Sequence, residues 1–429
     1  MKYNADLKKP FLIALSGLSF LVFVPLIAYL TLNFGRELCS LVAPARDEFG
    51  RKTIRLPETT DDSYVLFSPF SPRQRAVVPG RVYLTDLNGR IAHSWETRYQ
   101  TLYASLKRDG HLVAALINPG DPLADPGGGG TGTIQELDWE GNVLWQYEDP
   151  MLHHDFDVLP DGRIAALVWE KMSPDNAAKI RGGMNGEAHA DFWADAIVEI
   201  DANGKEVWRW SAAQNLDIGK YVLGPLVPRN EWTYGNSVRY YETNPFSGKP
   251  AYLLSLRHLN RVFVIERESG RVLWESKENM LASQHDATLL KNGNILIFDN
   301  GLLRAQQRPG QWSRVVEINP IENTIVWEFN GGKTGIEKAK FSSSIMSGAQ
   351  RLRNGNTFIV NAVNGHFLEV LDDGRIVWDF INPYLAPSSG SFGNNIVFKA
   401  RRYSPSEINW PERLPDPMGG IMSRVYCGG

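Results

Sequence analysis

Two histidines stand at matching places in the chain. His285 lies eight residues before Gly293 in "SQHDATLLKNG", and His154 lies eight residues before Gly162 in "HHDFDVLPDG". An aspartate follows each, Asp286 and Asp155. A neutral imidazole is a nucleophile, and a carboxylate beside it can fix its tautomer. Between the two histidines, "EWTYGNSV" carries Tyr234 and Asn236, and "YLLSLRH" carries Arg257. A guanidinium grips oxyanions through a fork of donors, and an amide adds a neutral donor. Nucleophile, cation and donor together suit transfer of an anionic group, sulfuryl or phosphoryl, whose charge lies on its equatorial oxygens. No acidic cluster stands ready for Mg2+, which favours a metal-free sulfuryl site without a cofactor. His153 precedes its neighbour in a strand and is expected to point away. His93, His111 and His366 lack a counterpart in this register and read as structural.

The elements that must position these residues recur along the chain. A polar residue, a turn, a short apolar run and a tryptophan repeat six times, with the turns at Gly89, Gly141, Gly204, Gly270, Asn323 and Gly374. Five units place tryptophan four residues after the turn: Trp145, Trp208, Trp274, Trp327 and Trp378. The first unit carries Trp95 two residues later, on the same strand face. A second hairpin type alternates with the first, as in "ATLLKNGNILIF" and "QRLRNGNTFIV". Two hairpins per unit make four strands, and six such units predict an all-β, six-bladed β-propeller. The tryptophans then read as packing between blades. Innermost strands of a propeller line one channel, so His154 and His285 should face a shared mouth. The same register position holds Leu102 and Ser347 on other blades. The segments Met172–Asp191, which contains His189, and Gly127–Gly130 read as insertions over one face. The run "NNIVFKARRYS" can return to close the ring against the first blade.

The ends of the chain differ from this pattern. Phe11–Phe34 holds 24 residues without a charge, long enough to cross a bilayer as a helix. Lys2, Lys8 and Lys9 precede it, which places the N-terminus in the cytoplasm. A cleaved signal peptide is the competing reading, but the small-residue site Ala43–Ala45 stands well past the apolar run. The expected organisation is a cytoplasmic segment 1–10, a single anchor 11–34, a linker 35–63, a propeller 64–404 and a C-terminal extension 405–429. An anchored inner-membrane protein with its propeller in the periplasm follows. Cys39 and Cys427 are then open to pairing or to remaining free thiols. With 45 basic and 48 acidic residues there is no basic stripe for nucleic acid.

Four segments, "SQHDATLLKNGNILIFDNG", "EWTYGNSV", "LLSLRH" and "HHDFDVLPDGRI", resemble bacterial arylsulfotransferases that work without a nucleotide sulfate donor. The resemblance spans about residues 64–404. It implies a six-bladed propeller with a central site that moves sulfate from a phenolic ester to another phenol through a sulfo-histidine. The implied ligands are aryl sulfates and phenols. Motif by motif, His285 falls on the nucleophile, Arg257 on the sulfate-binding arginine, Asn236 on the asparagine and His154 on an assisting histidine. Tyr234 stands where the family has a further assisting histidine, and a phenol is a poor base at neutral pH. The alternative is a propeller without turnover that serves as a binding or assembly subunit of a membrane complex. A quinone-cofactor dehydrogenase propeller usually has eight blades and an adjacent cysteine pair, neither of which this chain offers.

Overall fold

In the computed structural model the described residues are 54–56, 59–71, 78–118, 129–184, 191–302, 304, 312–331, 341–386 and 395–418. The expected anchor at 11–34, both cysteines and His189 lie outside them. Among the described residues no helix is long and apolar enough to cross a membrane.

Each glycine turn closes a hairpin, and the hairpins assemble into six four-stranded antiparallel blades. Glycine is needed at these turns because φ is positive, for example +80° at Gly89 and +84° at Gly293. Asn323, at the turn without glycine, also takes a positive φ of 53°. The inner strands of blades two to six are Thr101–Leu106, Leu152–Val158, Gly235–Tyr241, His285–Leu289 and Gly348–Arg351. Blade one takes its inner strand, Arg401–Tyr403, from the far end of the chain. Its Tyr403 pairs with Tyr64. The ring is therefore shut by the segment expected to close it.

Tryptophan on an outer strand ties each of several blades to the next. The indole N–H of Trp95 donates to Asp138 O, Trp210 to Gly270 O, Trp327 to Asp372 O and Trp378 to Leu87 O, at 2.7–3.0 Å. Every acceptor belongs to the outer hairpin turn of the following blade. In blade three this role falls to Trp210, while Trp208 stacks on Tyr252 at 5.1 Å. Both ends of the propeller are reinforced. Ile54–Arg55 adds a fifth strand to blade six, and the Asp61 N–H donates to Glu369. The end of the expected linker is thus part of the fold. Trp410, from the C-terminal extension, packs edge-on to Tyr64 at 5.3 Å.

Candidate active site

The mouth of the channel is built by a repeated irregularity. Four inner strands carry a bulge where they begin: Leu102 in blade two, His154 and Asp155 in blade three, Asn236 in blade four and Asp286 in blade five have no ordinary pairing partner. Positive φ accompanies it at His154 (47°), Tyr234 (47°), Asp286 (50°) and Ser347 (83°). Bulges and left-handed residues re-aim side chains, and non-glycine residues adopt them at a cost that recurs at functional sites.

His285 is buried, and its ring is fixed from both sides. Nδ1 lies 2.8 Å from Asn300 Oδ1 and 3.1 Å from Ser283 O. Both are acceptors, so Nδ1 carries the proton. The amide of Asn300 cannot turn freely, because its Nδ2 donates to Ser343 O at 2.8 Å and Met346 O at 2.9 Å. Nε2 therefore holds the lone pair, which accepts a long hydrogen bond from Met346 N at 3.2 Å. Burial first, then the Arg257 guanidinium, push the imidazole down to about 3. The ring is neutral at pH 7.

His154 is held differently. Its Nδ1 lies 2.9 Å from Nδ1 of His153. His153 Nε2 lies 2.9 Å from Asp195 Oδ1, both buried side chains. His153 thus points into the site, contrary to the expectation from strand alternation. The positive φ at His154 breaks the alternation. Burial, then His153, His285, Arg257 and Lys399, hold His154 well below the usual imidazole value. The Phe398 ring lies 6.0 Å from His154 and 6.4 Å from His285, so it bridges the two histidines. Gly129, at φ 92°, lies over the face of the His154 ring near Nε2 and Cε1, and a methyl group there would run into the imidazole.

Arg257 stands beside both histidines. Among the described residues no carboxylate lies within ion-pair distance of it. Its NH1 donates to His258 Nε2 at 2.9 Å, and His258 Nδ1 donates to Glu231 O at 2.7 Å. Burial, then Arg257, push His258 down to about 3, so it serves as a neutral acceptor. Tyr234 fills the middle of this group. Its ring stacks on His258 at 4.6 Å, meets the His154 edge at 4.8 Å and lies 5.3 Å from the Arg257 guanidinium. The half-buried guanidinium feels the Glu231 charge only from beyond ion-pair distance, so its donors remain able to grip an anion. Asn236 gives one amide N–H to Gln284 O at 2.7 Å, while its Oδ1 is buried without a partner among the described residues.

The two aspartates do not do what their positions suggest. Asp155 accepts from Arg239 NH1 at 2.9 Å and Lys399 Nζ at 2.7 Å. Asp286 accepts from Arg401 NH2 at 2.7 Å and Arg239 NH2 at 3.2 Å. Burial opposes ionisation of Asp286, but Arg401, Lys399 and Arg239 outweigh it and hold the carboxyl at about 2. Both carboxylates join a buried ionic network on the propeller axis, beneath the histidines. This corrects the expectation that they orient the imidazoles: Asn300 does so for His285 and His153 for His154.

The sequence pattern described as arylsulfotransferase (ASST) matches residues 116–383, more than half of the 429 residues. The chain belongs to the arylsulfotransferase family. No curated protein matches it. Among solved structures it is similar to a Bacteroides caccae protein of unknown function (TM-score 0.47, 13% identity, covering 80% of this chain and 99% of that one). It is also similar to a catalytically inactive virginiamycin B lyase from Staphylococcus aureus with quinupristin (TM-score 0.40, 12% identity, covering 77% and 88%). Likeness of that order says nothing about activity.

In this arylsulfotransferase-family site, His154, Tyr234, Arg257 and His285 come together as their motifs imply. Asn300, His153, Asp195 and His258 belong to the site as well, and sequence reasoning did not assign them. Only His258 carried a signal, as the polar neighbour of Arg257 in "LLSLRH".

Proposed function

We propose that this family member is a membrane-anchored, periplasmic enzyme that moves a sulfuryl group from an aryl sulfate to a phenol through a sulfo-histidine on His285. The observation that carries this reading is the neutral imidazole of His285. Its proton is pinned at Nδ1 by Asn300 and its lone pair is held at Nε2, beside the half-buried Arg257, which has no carboxylate within ion-pair distance among the described residues. In the first half-reaction the Nε2 lone pair forms the N–S bond while the S–O bond to the aryl group breaks, and the electrons leave on the phenolate. In the second, an acceptor phenol oxygen forms the new S–O bond as its proton is lost to base, and the N–S bond breaks, restoring the neutral ring. Arg257 balances the charge of the sulfuryl oxygens. The Met346 N–H, which already points at Nε2, lies ready to bond one of those oxygens. Tyr234, Trp169 and Phe398 offer an aromatic wall to the aryl rings.

The test is direct. Incubation with 4-nitrophenyl sulfate, followed by rapid denaturation at alkaline pH, leaves a labile sulfuryl mass on the peptide containing His285. His285→Ala abolishes both that mass and nitrophenol release. A sulfuryl mass on another residue would remove His285 from its role. A wild-type protein that neither releases phenols nor becomes labelled would favour the non-catalytic subunit reading.

A further inference from the structure

A line of three buried groups reaches the site and has no task in simple sulfuryl transfer. Asp195 lies on the third strand of blade three, Trp193–Ile200. Its Oδ1 is 2.9 Å from His153 Nε2, and His153 Nδ1 is 2.9 Å from His154 Nδ1. The first contact is bent away from a linear hydrogen bond. Neither of its atoms has another partner among the described residues. The surroundings fix the line in place. Thr233 Oγ1 donates to the other oxygen of Asp195 and accepts the Asp195 N–H at 2.9 Å. Trp169 stacks on His153 at 4.2 Å. Gly235 leaves room for the carboxylate, since a Cβ there would come within 2.7 Å of Asp195 Oδ1.

Two facing Nδ1 atoms cannot both donate, and they cannot both accept. One proton lies between them, and that single constraint gives two neutral-ring arrangements. In the first, Asp195 is ionised, His153 carries its proton on Nε2, and His154 carries its proton on Nδ1. The Nε2 of His154 then bears a lone pair. In the second, Asp195 is protonated, His153 carries its proton on Nδ1, and His154 presents an N–H at Nε2. The two differ by one proton overall, yet neither needs an imidazolium.

We infer that Asp195, His153 and His154 form a proton relay that protonates the leaving phenolate from His154 Nε2 and recovers the proton from the incoming phenol. The inference rests on the sulfotransfer reading above. Its steps balance. As the S–O bond of the donor breaks, the His154 Nε2 proton moves to the phenolate oxygen. The Nδ1 proton of His153 moves to His154, and the carboxyl proton of Asp195 moves to His153 Nε2. The relay then stands in its first arrangement while His285 holds the sulfuryl group. When the acceptor phenol attacks, its proton enters at His154 Nε2 and the three transfers run in reverse. The arrangement avoids a specific difficulty. An imidazolium at His154 would sit beside Arg257 and Lys399, which together with burial disfavour it. In the relay the added proton instead cancels the charge of Asp195, on the far side of His153.

The experiment reads the dependence of sulfo-enzyme formation on the leaving group. Aryl sulfates from 4-nitrophenyl to phenyl are mixed with the full chain, and the rate of phenol release in the first turnover is measured. A donor that leaves as a stable nitrophenolate needs no proton, whereas a phenolate of ordinary basicity does. The expected wild-type dependence is shallow. Asp195→Asn holds the second arrangement, because Thr233 Oγ1 donates to the amide oxygen and turns the amide N–H toward His153 Nε2, so a proton given up at His154 Nε2 cannot be replaced. It should slow phenyl sulfate by roughly 10²–10⁴-fold more than it slows 4-nitrophenyl sulfate, the usual contribution of a general acid. His153→Gln should behave alike. A merely structural role would slow every donor by the same factor, and that outcome overturns the relay. If neither variant folds, a steep wild-type dependence overturns it without them. Labelling of His285 with an unchanged dependence in Asp195→Asn defeats the relay alone; absence of any labelling in the wild type defeats both readings.

Discussion

Blades three and five carry the same device and use it in opposite ways. Each places a histidine eight residues before a turn glycine, at a bulge in its inner strand. Both imidazoles are buried and held neutral. The difference lies behind them. His285 leans on the neutral amide of Asn300, and His154 leans on a second histidine that leads to Asp195. In the proposed mechanism, the group that forms and then releases a bond to sulfur has a support that takes no proton. In the inferred relay, the group that exchanges protons has a support that ends in a carboxylate. In these two blades the backbone sets where each imidazole sits, while the group behind it sets what the ring can do.

Exchanging the supports has the largest expected effect. Asn300→Asp would set a carboxylate at Nδ1 of His285. A carboxylate strengthens the basicity of the imidazole and its hold on the sulfuryl group, making the ring a poorer leaving group. We expect the second half-reaction to slow by about 10–100-fold, the usual effect of altering such a partner. The sulfo-enzyme should then accumulate with 4-nitrophenyl sulfate when acceptor phenol is present. A burst of nitrophenol followed by a slow steady state would show it. Unchanged turnover through the second half-reaction would mean that the neutrality of Asn300 has no bearing on sulfuryl release.

Part of this arrangement was legible in the sequence, for a physical reason. Strand parity and the glycine turn set a count, so residues at one distance from the turn share one place on successive blades. That count found His154 and His285, and the hairpin repeat found the ring. The partners escaped because a bulge cancels parity. At His154, φ of 47° draws His153 inward where alternation sends it out. At Asp286, φ of 50° turns the carboxylate toward the axis, where it meets Arg401, 115 residues away. Asn300 reaches His285 from the end of the neighbouring strand, and Asp195 reaches His153 across a whole blade. No local spacing encodes such contacts. Trp208 holds the same pairing place as Trp327 and Trp378, yet the inter-blade bond of blade three comes from Trp210, two residues later.

The neutrality of the buried imidazoles also shows in the dependence of stability on pH. His285 and His258 are held at about 3 in the fold, against an ordinary value of 6.5. As pH falls below 6.5 the unfolded chain takes up protons that the folded site refuses. The stability conferred by their neutrality is therefore fully present above about 6.5 and is lost progressively toward about 3. Asp286, held at about 2 against an ordinary 3.8, continues the loss from 3.8 downward. His258→Gln keeps an acceptor for Arg257 but cannot titrate. It should flatten the acid limb of stability against pH by up to one proton, about 1.4 kcal/mol per pH unit. Chemical denaturation at a series of pH values between 3 and 7 measures this. An acid limb as steep as that of the wild type would show that His258 takes up its proton in the fold as readily as in the unfolded chain.

The smallest expected effect separates the hub from the rim within blade five itself. Trp327 lies on the outer strand of the blade whose inner strand begins with His285, and its indole N–H donates to Asp372 O of blade six at 2.7 Å. The Arg351 guanidinium sits over its ring at 5.1 Å. Trp327→Phe keeps an aromatic face for Arg351 and removes the hydrogen bond between blades. The half-buried position makes the expected cost about 1 kcal/mol, the net worth of one such bond. A lower urea midpoint with an unchanged rate per folded molecule is the expected result. It would follow from construction: His285 is fixed by Asn300, Ser283 and Met346, and none of these contacts passes through the outer strand. A fall in rate without a fall in stability would mean that the rim adjusts the mouth, and the separation between blade packing and imidazole support would then have to be abandoned.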